Sequence, residues 1–203
     1  WSHELPPMQA EGHALELDLH HGIAPVTSHC RPDPVALWAR RRPIAGARFC
    51  VLDPADQLIH AVVHLFQDTE LDGRLRDLLD IDAMLRALPD EDAALQSIAS
   101  RVSQFGAGVL FWYALTACQR WLVTPIPSVL WPAPPSRIAQ EAMNWMLPRT
   151  LLPRLPEEGP GLGGALAGTL AHLRYHRMRM PVGLLLRHGL AKGWRRFGLG
   201  GER

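Results

Sequence analysis

The chain has 203 residues, 47% hydrophobic and 20% charged, with 21 basic and 20 acidic side chains and a formal net charge of +1. That length allows one large or two small domains, and such a composition excludes disorder as the default state. The near-neutral balance hides an asymmetry: residues 1–100 carry eight arginines against sixteen acids, and residues 101–203 thirteen basic residues against four acids. The halves attract each other and are expected to fold together instead of forming a nucleic-acid patch.

In chain order, residues 14–23 (Ala-Leu-Glu-Leu-Asp-Leu-His-His-Gly-Ile) alternate apolar and polar positions, the pattern of a short strand. Leu15, Leu17 and Leu19 point to one side, and Glu16, Asp18 and His20 to the other, because successive strand side chains alternate faces. Carboxylates and an imidazole on one face can ligate a divalent ion, and an oxygen-rich set suits magnesium when a nucleotide phosphate supplies further ligands. The same pattern also describes an edge strand whose polar face lies in water.

Residues 24–36, with Pro25, Pro32 and Pro34, read as a loop, and Val35 to Arg42 as a short basic segment closed by Pro43. Ala47 to Leu52 is compatible with another strand. Asp53-Pro54-Ala55-Asp56 is a helix start: Asp53 as N-cap, Pro54 in the first helical position and Asp56 beside the positive end of the dipole. A helix is predicted from Pro54 to about Gln67, with His60 and His64 four apart on one stripe. Further helices are predicted over Gly73 to Leu88, from the Pro89-Asp90-Glu91-Asp92 start to about Phe105, and over Ala107 to Leu122. The last of these is apolar nearly all round and so expected at the centre of the core.

Residues 123–136 hold five prolines and form a connector. Ser136 caps a fifth helix through Met146, followed by a second irregular stretch from Pro148 to Gly161. Gly164 to Phe197 is predicted as two helical pieces separated by Pro181-Val182-Gly183. No internal repeat of 20–50 residues occurs in the sequence.

Cys30, Cys50 and Cys118 are odd in number and widely spaced, which suggests neither a disulfide framework nor a zinc knuckle and fits a reducing cytoplasm. The first residues do not read as a signal peptide, and no apolar run approaches the roughly 20 residues of a membrane-spanning helix. The longest, Val109 to Val123, is broken by Gln119 and Arg120. Lys192 is the sole lysine, an Arg preference that fits a GC-rich bacterial genome. The chain opens on Trp1 without an initiator methionine and therefore reads as a fragment.

The His60/His64 and His172/His176 pairs have the spacing of helical metal ligands, but position 61 is Ala and position 173 is Leu, so neither is a His-Glu-x-x-His protease site. Asp80 and Asp82 imitate the paired carboxylates of two-metal sites. On a helix, residues two apart diverge by about 200°, so the pair is read as a decoy. Asp80 is expected near Arg76 or the histidine-bearing helix, and Asp82 in solvent. No P-loop, dinucleotide fingerprint or esterase elbow is present in the sequence. The tail from His172 to Arg203 has eight basic residues and one acid interleaved with aromatics, a composition open to anionic lipid or nucleic acid, although the acidic first half favours a solvated or intramolecularly paired helix face.

Four pieces in order carry a likeness to a known family: His3-Glu4-Leu5-Pro6-Pro7-Met8; Leu17-Asp18-Leu19-His20; Leu52-Asp53-Pro54-Ala55-Asp56 with Leu58-Ile59-His60 and His64; and Arg74-Leu75-Arg76-Asp77-Leu78-Leu79-Asp80-Ile81-Asp82. Over roughly residues 1–90 the chain resembles the bacterial uncharacterised nucleotidyltransferase family, within the DNA polymerase beta nucleotidyltransferase superfamily. The resemblance implies transfer of a nucleoside monophosphate from a nucleoside triphosphate (NTP) to a hydroxyl or phosphate acceptor, assisted by Mg2+. It implies three acids, two from a strand after a Gly-Ser turn and a third on a later strand that orients or deprotonates the acceptor. Asp18 matches the third, with His20 as its neighbour near the acceptor and Glu16 a further metal-ligand candidate. His60, His64 and Asp80 would line the cleft.

The Gly-Ser turn and first acidic pair are not in this sequence, and the resemblance implies that they precede Trp1. The chain is thus read either as cut from a longer polypeptide, which the missing initiator methionine favours, or as a binding module without that half. The expected architecture is α+β: residues 1–52 as a remnant of a mixed sheet of the nucleotidyltransferase kind, packed on a larger α-helical region over residues 53–203. The expected partners are a nucleotide and an acceptor, with a protein partner if the chain is a non-catalytic adaptor; nucleic acid is not expected. A third reading is a metal-dependent phosphohydrolase built from His60, His64, Asp77 and Asp80.

Overall fold

Helix α2 (Pro54–Phe66) is the centre of the packing because its apolar residues exceed a single stripe: Leu58, Ile59, Val62, Leu65 and Phe66 are wholly buried. The computed structural model describes residues 5–12, 14–67, 71, 73–154, 159–179, 181, 183–184 and 187. As predicted, Asp53 caps α2, its carboxylate accepting the Ala55 N–H at 3.1 Å, and Pro54 opens the first turn. Against α2 pack α3 (Leu75–Arg86), α4 (Asp92–Gln104) and α5 (Gly108–Leu122). These bounds lie within a few residues of those read from periodicity. Helix α5 buries Leu110, Phe111, Ala114, Leu115 and Cys118, the central role its apolar pattern predicts.

Helices α6 (Arg137–Thr150) and α7 (Gly161–Arg179) pack on each other and add Met143, Met146, Leu147, Ala167 and Ala171 to the same core. Here the structure departs from the expected end of α6 at Met146, since Pro148 lies inside the helix. Pro148 withdraws the N–H that would serve the Asn144 carbonyl, and the helix nonetheless continues through Thr150 with Leu147 and Leu151 buried. The Thr150 hydroxyl donates to the Met146 carbonyl, and Arg149 Nη1 donates to the Trp145 carbonyl at 2.7 Å. From α7, Arg174 Nη1 donates to the Phe66 carbonyl at 2.8 Å, a cation at the negative end of α2, while its guanidinium lies 5.4 Å from the Tyr113 ring centre. Burial lowers Arg174 to about 10, so it stays charged at neutral pH.

A first helix was not foreseen. Asp33 accepts the Val35 N–H at 2.9 Å and Pro34 takes the first position, so α1 (Pro34–Arg40) forms where a loop and a basic segment were expected. The prolines between 123 and 136 do form a connector, with a single 3-10 turn at Ser128–Leu130. Most of the basic tail, including nearly all of the second helical piece predicted after Pro181, lies outside the described residues, as do His3 and Glu4.

Among the described residues, strand content is two short antiparallel pairs. β1 (Met8–Gln9) pairs with β2 (Glu16–Leu17), and β3 (Arg42–Pro43) pairs with β4 (Cys50–Val51). The architecture is therefore α+β, with the strands confined to the segment before α2. The expected strand from Leu15 to His20 is regular only at Glu16–Leu17, although the Leu5 N–H donates to the Leu19 carbonyl at 2.9 Å and prolongs the pairing. Its apolar side is uncovered, with Leu15 84%, Leu17 61% and Leu19 48% exposed.

The loop between the two hairpins is held by the α4–α5 turn. Gly106 there has φ +66°, and a Cβ at that position would meet the His29 carbonyl at 2.9 Å, so only glycine lets the backbones approach. The neighbouring Arg31 N–H donates to the Phe105 carbonyl at 2.9 Å, and Cys30 is buried beneath. The opposite charges of the two halves meet chiefly through Arg101. Among the described residues, the pairs Arg40–Asp56, Arg42–Asp53, Arg74–Asp77 and Arg86–Asp82 are local to the first half.

Candidate functional site

A groove of about 440 Å³ opens where the segment His20–Ile23, α1, β4 and the middle of α2 meet. Helix α1 shapes it. Leu37 is buried and anchors the helix, which turns Trp38 outward, 68% exposed, beside the groove. Just past the helix end, the Arg41 guanidinium lies 4.3 Å from the Trp38 ring centre and donates to the Trp38 carbonyl. This cation–π pair holds a positive charge and an aromatic plane at one rim. His60 supplies the opposite wall from α2, and His20 and His21 enter from the chain after β2. Cys50 and Val51 close the end nearest the β3–β4 hairpin.

Of the residues singled out in the sequence, His20 and His60 are brought together in this groove although forty positions separate them in the chain. Asp18 and Glu16 are not among its lining residues; both are exposed on the β1–β2 hairpin. His64 lies one turn beyond His60, exposed, with ring centres 5.8 Å apart, and its Nδ1 sits 2.9 Å from Arg74 Nη2. Because a guanidinium only donates, this contact makes Nδ1 the acceptor. Asp80 is exposed on α3. Asp80 and Asp82 are on that helix and do not form a strand pair, as expected of a decoy.

Asp82, however, does not face solvent freely. It accepts from Thr124 Oγ1 and from Arg86 Nε at 2.9 Å, pinning the end of α3 to the connector after α5. Burial acts to raise its carboxyl, but the Arg86 and Thr124 hydrogen bonds outweigh this and hold it below the ordinary value. Asp77 is engaged by Arg74, so the set His60, His64, Asp77 and Asp80 does not converge and the phosphohydrolase arrangement is not assembled.

Sequence reasoning missed a second polar cluster at the start of α2. Asp56 is wholly buried and accepts a fork from Arg40, Nε to Oδ2 at 2.8 Å and Nη2 to Oδ1 at 3.0 Å. Asp53 Oδ1 accepts from Arg101 Nη1 at 2.7 Å, and its Oδ2 from Arg42 Nε and Nη2 at 3.0 and 2.7 Å. Arg101 also lies 3.5 Å from Asp56. Burial acts to raise Asp53, and hydrogen bonds from Arg42, Arg101 and the Ala55 N–H overcome it, leaving its carboxyl below the ordinary value. The cysteines are free, and burial raises Cys30 to about 11 and Cys118 to about 12, which keeps both as thiols at neutral pH and unsuited to nucleophilic work. Trp38 and Arg41 were also missed, although Asp33-Pro34 repeats the Asp53-Pro54 start signal and would have placed them on a helix.

The hairpin, groove and ion cluster fall within one family match: a model described as an uncharacterised nucleotidyltransferase covers residues 2–123. The chain belongs to that family. Glu16, Asp18, His20, His60, His64 and Asp80 all lie inside the matched stretch. No curated protein and no solved structure matches the chain. No helix among the described residues is long and apolar enough to cross a membrane.

Nucleotidyltransferases as a class use an NTP and a divalent metal. Among the described residues, no three His, Cys, Asp or Glu side chains come close enough to hold a metal ion. Glu16 and Asp18 offer two exposed carboxylates on a hairpin, which do not by themselves make up a metal site.

Proposed function

We propose that the protein serves transfer of a nucleoside monophosphate from an NTP to a hydroxyl or phosphate acceptor, and that the groove between His20 and His60 receives the nucleotide. In that reaction an acceptor oxygen attacks the α-phosphorus, the bond from that phosphorus to the bridging oxygen breaks, and pyrophosphate leaves as the acceptor gives up its proton. The exposed Trp38 offers a stacking plane for a base, and Arg41 beside it a charge for the phosphates. His20, His21 and His60 bring imidazole hydrogen-bonding groups to the groove, and Asp18, two residues before His20, is the carboxylate that orients or deprotonates the acceptor. Glu16 shares that hairpin and stands as a second carboxylate for the magnesium the resemblance implies. His64 and Asp80 stand further out on the flank of the cleft.

The observation that carries this reading is that the family match spans every residue lining the groove. The division at residue 52 assigns the hairpins and the α1 rim to the segment before it and His60 to the helical region after it. The three free cysteines accord with a cytoplasmic protein. Calorimetry with magnesium and ATP, CTP or GTP tests the binding step: heat is expected with at least one nucleotide, reduced at least tenfold in affinity by His60→Ala, and no heat with any of the three overturns the reading.

An adaptor role is the second reading, favoured by one feature. Leu162, Leu166, Leu170 and Leu173 on α7 are 93%, 53%, 42% and 58% exposed, an apolar set suited to a protein partner.

A further inference from the structure

A larger cleft, of about 540 Å³, lies between the start of α2, the end of α3 and α4, with Arg42 of β3 at its edge and no lining residue in common with the histidine groove. Arg41 and Leu52 line the histidine groove, whereas their chain neighbours Arg42 and Asp53 line this cleft. Met84, Leu88, Ala94 and Ile98 give it an apolar floor, and its charged lining is Arg42, Asp53 and Arg101. Its volume falls in the range of small-molecule sites, which pair an apolar body with a few placed polar groups.

The charges of its lining do not cancel. Two guanidinia, Arg42 and Arg101, meet one carboxylate, Asp53, and Asp56 behind them is paired with Arg40. Asp56 is satisfied by the Arg40 fork, and Asp53 keeps Arg101 and the Ala55 N–H on its Oδ1 whether or not Arg42 remains on Oδ2. Arg42 is the surplus cation. Its side chain is 61% exposed, and an ion pair that open to water is weak enough to be exchanged for another anion. Arg101, only 19% exposed, stays in place as the fixed partner of both carboxylates.

We propose that this cleft binds a small organic anion, its carboxylate or phosphate on the Arg42 guanidinium and its apolar body against Met84, Leu88 and Ile98. A planar guanidinium takes either head group through two parallel hydrogen bonds, so the floor selects the apolar body and Arg42 the charge. The site is independent of the nucleotide groove and of the family assignment.

Calorimetry of the whole chain with octanoate, octyl phosphate and octanol tests it. Octanoate or octyl phosphate should bind with 1:1 stoichiometry, the stronger of the two naming the head group, and octanol at least tenfold more weakly. Arg42→Gln should weaken the anion about tenfold, Arg42→Lys should restore part of the loss, and Leu88→Asp should abolish binding, with circular dichroism confirming that each variant is folded. Binding of neither anion, octanol equal to octanoate, or affinity unchanged in both Arg42→Gln and Leu88→Asp would each overturn the proposal.

Discussion

Two pairs of carboxylates stand next to short strands in this chain, and they meet opposite fates. Glu16 and Asp18 lie on the β1–β2 hairpin and are exposed. Asp53 and Asp56 lie at the junction of β4 and α2, where Asp56 has no exposed side-chain surface and Asp53 very little. The second pair is buried because Arg40 from α1, Arg42 from β3 and Arg101 from α4 converge on it, which makes removal from water tolerable. A carboxylate in an alternating pattern therefore says nothing of its burial until the cations packed against it are known.

The largest expected break of that contrast is Asp56→Ala, which strands Arg40 and Arg101 beside an apolar site. Unfolding in urea should show a loss of about 3 kcal/mol, the scale for removing one partner of a buried pair. Asp53→Ala comes next, at about 2 kcal/mol, because it removes the α2 cap together with two arginine partners, and Asp53→Asn should cost less because the amide oxygen still caps. Acid sharpens the same point. Asp53 and Asp82 have folded values below the ordinary 3.8, so their stabilisation is complete above that value and is lost as pH falls through the lower folded value. A melting curve should therefore drop below about pH 3.8 in the wild type and flatten in Asp53→Asn. The smallest effect belongs to the exposed pair: Glu16→Gln and Asp18→Asn should leave the melting temperature unchanged while Asp18→Asn lowers transfer of labelled nucleoside monophosphate, if an acceptor is supplied. Equal destabilisation by the two pairs would erase the contrast.

Legibility followed range. Helices α2, α3, α4 and α5 were readable because their caps, prolines and apolar spacings lie within one or two turns of each other. Helix α1 carries the same Asp-Pro signal but sits among prolines that by themselves mark a loop, and α6 runs past Pro148 with Met146, Leu147 and Leu151 buried in the core. In the groove, His20 and His60 were legible as candidates, whereas Trp38 and Arg41 depended on the direction α1 takes. The Asp53–Arg101 contact joins residues forty-eight apart and has no local signature.

What the residues settled alone was local: a chain of amphipathic and capped helices behind short strands, with the ordered pieces that mark the nucleotidyltransferase family. Those follow from periodicity and from hydrogen bonds that close within a few residues. Which side chains share a groove, which acids are buried and which leucines stay uncovered were decided only when separate elements packed. Burial and ion pairing depend on what lies across the interface, and no stretch of sequence contains its own opposite wall.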